Sequence, residues 1–143
     1  MNLVTEDFSP TEVEDVILDN QDLVEGRGEC FSVDREILNQ IFNNMKSSNE
    51  IDDKRTRIIK KSAHLLAGIS YYQPFREGNK ETALSLTISF LRRNGLILPL
   101  NTKKEKKDIY EILVGTSLKF ENDRTIVNEV EEYLSEKVVQ LSY

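Results

Sequence analysis

The chain has 143 residues, 38% of them hydrophobic and 31% charged, a length and balance that fit one globular domain with its own core. A formal net charge of −6 argues against nonspecific nucleic-acid binding, which needs Lys and Arg to neutralise phosphates. No apolar run approaches the roughly 18 residues that span a bilayer, so no membrane partner is expected. The single cysteine, Cys30, has no internal partner, and the acidic start from Met1 to Asp7 lacks the regions of a signal peptide. A reducing cytoplasm is the expected setting.

In chain order, Ser9-Pro10-Thr11-Glu12 predicts a helix start, with Ser9 as N-cap, Pro10 in the first turn and Glu12 completing a capping box. Val13, Val16 and Ile17 follow at helical spacing, and Gly26-Arg27-Gly28 marks a turn. Ser32 is the expected cap of a second helix whose apolar face is Ile37, Leu38, Ile41, Phe42 and Met45. Asn43 to Asp53 is polar and without periodicity, and reads as a loop or a small flap. A third helix is predicted from about Lys54 to Tyr72, with Ile58, Ile59, Ser62, Leu65, Leu66 and Ile69 on one side.

The fourth helix begins near Asn79 and is apolar nearly all round, through Ala83, Leu84, Leu86, Ile88, Phe90 and Leu91. That predicts a place inside the bundle. Gly95 ends it at the C′ position, and Leu96 to Leu100 reads as a buried extended connection. Lys103-Lys104 and Lys106-Lys107, broken by Glu105, read as a solvated helix start or loop. Ile109, Ile112 and Leu113 mark a fifth helix. Asp123 is the expected cap of a sixth, carrying Ile126, Val127, Val130, Tyr133, Leu134 and Val138. Pattern alone thus predicts one all-α domain over residues 1–143, about six helices around a buried central one whose N-terminus faces a pocket.

The stretch that carries chemistry is Gln73-Pro74-Phe75-Arg76-Glu77-Gly78-Asn79-Lys80-Glu81-Thr82, at the mouth of the fourth helix. Gly78 permits a backbone conformation closed to other residues, and Asn79 tolerates it or caps the helix. Successive N–H groups then face one spot, to which Lys80 adds a positive charge and the helix its dipole. Such a cradle suits a nucleotide phosphate, and Glu77 on the same turn is placed for Mg²⁺ bridging a carboxylate and phosphate oxygens. Phe75 is expected to point inward and anchor the loop. The plainer reading is a loop-to-helix junction with Asn79 as an ordinary cap.

This stretch resembles the signature of the Fic/Doc (Fido) family, His-x-Phe-x-Asp/Glu-Gly-Asn-Gly/Lys-Arg, which lies between two helices. Phe75, Glu77, Gly78, Asn79 and Lys80 match it position by position. Lys80, Thr82-Ala83-Leu84 and Phe90-Leu91-Arg92-Arg93-Asn94-Gly95 look like the death-on-curing branch. Leu113-Val114-Gly115 and the closing amphipathic helix also sit where that branch has similar elements. The likeness implies Mg²⁺ on Glu77, phosphates of ATP or another nucleoside triphosphate at Gly78, Asn79 and Lys80, and a protein Ser, Thr or Tyr hydroxyl as acceptor. It further implies transfer of a phosphate, as in death-on-curing toxins, or of a nucleotidyl group, as in Fic members. An antitoxin-like peptide across the pocket is an implied partner, and a target-aligning flap is expected around Asn43 to Asp53.

Two positions depart from the signature. Gln73 replaces the histidine, and an amide cannot accept a proton near neutral pH, although it can orient a hydroxyl. General base catalysis contributes roughly 10²–10⁴ in rate, so its loss leaves weak activity at best. Glu81 replaces the phosphate-facing arginine, and a like-charge pair about 5 Å apart costs about 3 kcal/mol at an effective dielectric of 20. Glu81 either joins Glu77 on the metal or serves only as a first-turn acid favoured by the helix dipole. The chain therefore reads as an impaired enzyme of this kind or as a noncatalytic binding module.

His64, the only histidine, lies nine residues before Gln73 on the preceding helix, roughly 13 Å along it. It is expected to be a packed or surface residue, while Tyr71 and Tyr72 are expected to wall the pocket. Ser117-Leu118-Lys119-Phe120-Glu121-Asn122 resembles the autoinhibitory motif of some Fic proteins. The arginine that would pair with Glu121 is replaced by Leu84, so the match is read as coincidence.

Overall fold

The computed structural model describes residues 6–118 and 123–141, the side chains of 117, 118, 123 and 124 excepted. The first helix, α1 (Pro10–Gly26), starts as its sequence dictates. The Ser9 hydroxyl accepts from the Glu12 N–H at 3.2 Å, and the Glu12 carboxylate accepts from the Ser9 N–H at 3.0 Å. Its buried stripe is Val16, Ile17, Asn20 and Val24.

After the turn at Arg27 and Gly28 the chain stays extended, and α2 (Arg35–Met45) is capped by Asp34, not by Ser32. The reason is tertiary. The Ser32 carbonyl accepts from the Arg76 N–H at 3.0 Å and the Asp34 N–H donates to the Pro74 carbonyl at 2.7 Å. Residues 32–34 are thereby committed to an isolated antiparallel bridge, Val33 opposite Phe75. The first side chain free to cap is that of Asp34, whose Oδ1 accepts from the Ile37 N–H at 3.1 Å. The segment expected to be a loop from Asn43 is helical through Met45, because Leu38, Ile41, Phe42 and Met45 continue one buried face. A single 3₁₀ turn follows at Lys46–Ser48.

Asp53 caps α3 (Lys54–Tyr72), accepting from both the Thr56 N–H at 2.9 Å and its hydroxyl at 2.7 Å. This helix is the hub of the domain. It packs against α2, α4 (Asn79–Arg93), α5 (Lys103–Leu118) and α6 (Asp123–Lys137). The all-α architecture of six helices is as predicted among the described residues, whereas α4 is less enclosed than its apolar sequence suggested. Ala83, Thr87, Phe90 and Leu91 are buried, while Glu81, Ser85, Ser89 and Arg92 form an exposed edge. Serines at four-residue spacing from Glu81 mark that edge.

The Leu96–Ile97 strand, β1, forms a two-stranded antiparallel ribbon with Val139–Gln140, β2. Leu96 and Leu98 are buried, as the extended connection predicted. The four lysines from Lys103 to Lys107 are exposed on the first turns of α5. The expected Asp123 cap is a side chain outside the described ones.

Residues 6–8, ahead of α1, form a strap. Phe8 packs on Phe42 at 4.9 Å and Phe90 at 5.6 Å, with the Arg93 guanidinium 4.6 Å over its ring. Glu6 takes a two-pronged bond from Arg57, at 2.7 and 3.0 Å, and faces the ammonium of the buried Lys61 at 3.3 Å.

Candidate functional site

The helix α3 ends two residues before Pro74, and Gln73 closes it in the left-handed region, φ 51 and ψ 62, with its N–H on the Ile69 carbonyl. Such a cap followed by proline stops a helix sharply. The loop from Gln73 to Gly78 is then held from three sides. In front, Val33 and Phe75 are a non-hydrogen-bonded pair of the bridge, so the Phe75 N–H and carbonyl are left without strand partners. The Asn79 amide takes both, accepting from the Phe75 N–H at 3.0 Å and donating to its carbonyl at 2.7 Å. The Phe75 ring is buried, as an anchor should be. Behind, the Asn20 amide on α1 donates to the Glu77 carbonyl at 2.9 Å and to the Thr82 hydroxyl at 3.0 Å.

Gly78 supplies the N-cap of α4 in the left-handed region, φ 73. A Cβ there would meet Val24 Cγ1 at 3.0 Å, Asn20 Nδ2 at 3.1 Å and Leu23 Cδ2 at 3.2 Å. Both the conformation and the close approach of α1 therefore require glycine. Asn79 is not the helix cap that one sequence reading allowed. Its side chain is spent on Phe75, leaving the backbone N–H as its means of contact with an anion.

The chemical groups of the motif divide into free and paired. The Glu77 carboxylate is exposed and makes no hydrogen bond or ion pair among the described residues. Lys80 is half-buried and likewise has no hydrogen bond or ion pair there. Gln73 is exposed, its amide unbonded among the described residues. Glu81 is paired: the Arg27 guanidinium reaches it at 2.6 Å, while its other side bonds Glu29 at 2.7 Å. Partial burial would raise the Glu81 carboxyl, but the Arg27 hydrogen bond, the residue's own backbone N–H and the charges of Arg27 and Lys80 hold it below the usual carboxylate range. The expected choice between metal ligand and helix-dipole acid thus gains a third answer, an ion pair with Arg27.

A free carboxylate beside a glycine cradle fits Mg²⁺, which takes one or two carboxylates and completes its shell with phosphate oxygens and water. No group of three or more acidic, histidine or cysteine side chains able to hold a metal occurs among the described residues. Glu77 would therefore act as the protein ligand only together with phosphate.

Two expectations about the surroundings are corrected. The segment facing the motif loop is 32–35, which shares an open cleft with Gln73 to Arg76, and not 43–53. Asn44 and Ser47 instead line a cavity of about 320 Å³ between α2, α3 and α6. That cavity also holds His64 and Tyr72, so Tyr72 does not wall the motif pocket. His64 is a half-buried packed residue, as expected, its basicity lowered first by burial and then by Lys60. No histidine reaches the loop among the described residues. The autoinhibitory-like stretch from Ser117 to Asn122 lies outside the residues whose side chains are described.

Sequence reasoning missed Asn20 and Arg27. Asn20 carried a signal, a polar residue at a core position of the stripe Val13, Val16, Ile17, Asn20, Val24. Arg27 carried none, since its partner lies 54 residues away.

A family model described as Fic/DOC family matches residues 13–91, more than half of the chain and the whole of the site from Asn20 to Glu81. No curated protein and no solved structure gives a significant match. By its motif loop and this match, the chain belongs to the Fic/DOC family.

Proposed function

We propose that this protein binds a magnesium nucleoside triphosphate, ATP or another, at Glu77, Gly78, Asn79 and Lys80. On this reading it is a death-on-curing relative that transfers phosphate, or a nucleotidyl group, to a protein hydroxyl at a rate limited by Gln73. The observation that carries it is the loop from Phe75 to Asn79. It is locked by Asn79 and Asn20 into a left-handed Gly78 whose amides enter α4, with Glu77 and Lys80 free beside it. Metal-bound triphosphate would supply the electrophilic phosphorus, and the chain's own part is to orient it and its acceptor. The Gln73 amide can hold an acceptor hydroxyl but cannot take its proton.

A second reading, a module that binds a peptide or nucleotide without transfer, is favoured by the lack of any histidine at the loop among the described residues. Calorimetry with Mg-ATP and transfer from labelled ATP to a lysate decide between them, for wild type, Gln73→His, and Gln73→His with Glu81→Arg. The expected result is binding by the wild type and a transfer rate that rises roughly 100-fold or more with histidine at 73. Absence of Mg-ATP binding by the wild type refutes the nucleotide site. Wild-type transfer as fast as that of the histidine variant refutes the impairment.

A further inference from the structure

Arg27 is placed to do more than tie α1 to α4. Its guanidinium meets the Glu81 carboxylate, which lies in the first turn of α4 and also accepts from its own backbone N–H. That carboxylate occupies a guanidinium donor and a first-turn N–H of α4, and guanidinium bonds phosphate as readily as carboxylate. Glu29 holds the Nε side of Arg27 at 2.8 Å, which fixes the plane of the guanidinium and leaves its NH1 end toward α4. Arg27 is also accessible, its side chain 39% exposed, so a ligand can reach it without unfolding the turn.

We propose that Arg27, contributed by the end of α1, is the guanidinium that binds the outermost phosphate of the nucleotide, with Glu81 as its resting counter-ion. This rests on the nucleotide reading of the site. Glu81 then does not simply repel phosphate. It stores the positive charge in position and yields it when an anion with more negative charge arrives.

Calorimetric titration of the full chain with Mg-ATP, ADP and AMP tests this in wild type, Arg27→Gln and Glu81→Gln, with thermal melting as the folding control. Arg27→Gln should weaken Mg-ATP roughly tenfold or more, the scale of a charged hydrogen bond, and AMP by much less. Glu81→Gln should tighten Mg-ATP by severalfold, since it removes the competing negative charge. Unchanged Mg-ATP affinity in Arg27→Gln overturns the proposal while leaving the nucleotide site intact. Equal losses for ATP and AMP, or weaker binding by Glu81→Gln, also overturn it. Failure of the wild type to bind Mg-ATP overturns the site and this role together.

Discussion

Replacing Asn79 by alanine should test whether the motif loop is held by its own side-chain clamp. The Asn79 amide makes two bonds to the Phe75 backbone, at 3.0 and 2.7 Å, and both residues are buried, at 8% and 2% exposure. Each bond contributes about 1 kcal/mol net, and each buried backbone group left unpaired costs about 1–3 kcal/mol. With partial access of water to the loop, the loss should be about 2–4 kcal/mol, a large share of the roughly 5–15 kcal/mol that keeps a domain folded. Urea unfolding followed by far-UV circular dichroism reads it directly. With a slope of about 2 kcal/mol per molar, the midpoint should fall by about 1–2 M. Asn79→Asp keeps the acceptor for the Phe75 N–H but sets a carboxylate against its carbonyl, so it should not rescue. A midpoint shift below about 0.3 M in Asn79→Ala, with the slope unchanged, would mean the Phe75 groups find water, and the clamp argument fails.

Other substitutions probe the same scaffold. Gly78→Ala should cost about 1–3 kcal/mol in the same assay, since it forces a left-handed alanine against Val24 and Leu23. A neutral result would show that α1 yields. Gln73→Gly should stabilise by about 0.5–1 kcal/mol, visible as a raised Tm, because glycine relieves the left-handed strain at an exposed position; a lowered Tm would show that Gln73 has packing of its own. Glu6→Gln should cost about 3 kcal/mol by leaving the buried Lys61 without its closest carboxylate. The Arg57 hydrogen bond, outweighing burial and aided by Lys61, holds the Glu6 carboxyl below its ordinary value of 4.5. Its stabilising effect is therefore complete above about pH 4.5 and lost as pH falls through the lower folded value. The wild type should lose more stability than Glu6→Gln across that acidic window, and parallel pH curves would refute the strap's role.

The parts of this fold that could be read in advance are those decided within a few residues. Ser9 with Glu12 and Gly95 after Arg93 were settled by neighbours at three- or four-residue spacing, and the structure agrees. The start of α2 was misplaced at Ser32 because its boundary is set by Pro74 and Arg76, some forty residues on. The family and the inward Phe75 were legible, whereas the use of the Asn79 amide was not. A cap and a clamp employ the same side chain, and only the bridge to Val33 decides between them. The polar run after α2 reads as the flap, yet the chain that meets the loop is the short extended stretch before it. Polarity marks solvent exposure, not which segment pairs with which.

The two positions that the sequence reading sets apart from the signature share a structural property. Gln73 and Glu81 are exposed, and neither takes part in the clamp or in the contacts of Asn20 with the loop. The shape of the cradle therefore does not depend on them, and chemistry at 73 can change without disturbing the backbone that presents it. Histidine is among the residues that tolerate the left-handed region, so Gln73→His should melt within about 0.5 kcal/mol of the wild type. Glu81→Arg differs, because it sets a second guanidinium against Arg27 and removes the tie between α1 and α4. If Arg27 already serves the phosphate, the single Gln73→His variant should regain most of the transfer rate, and adding Glu81→Arg should bring little or reduce it. Recovery confined to the double variant would show instead that the guanidinium must stand on α4.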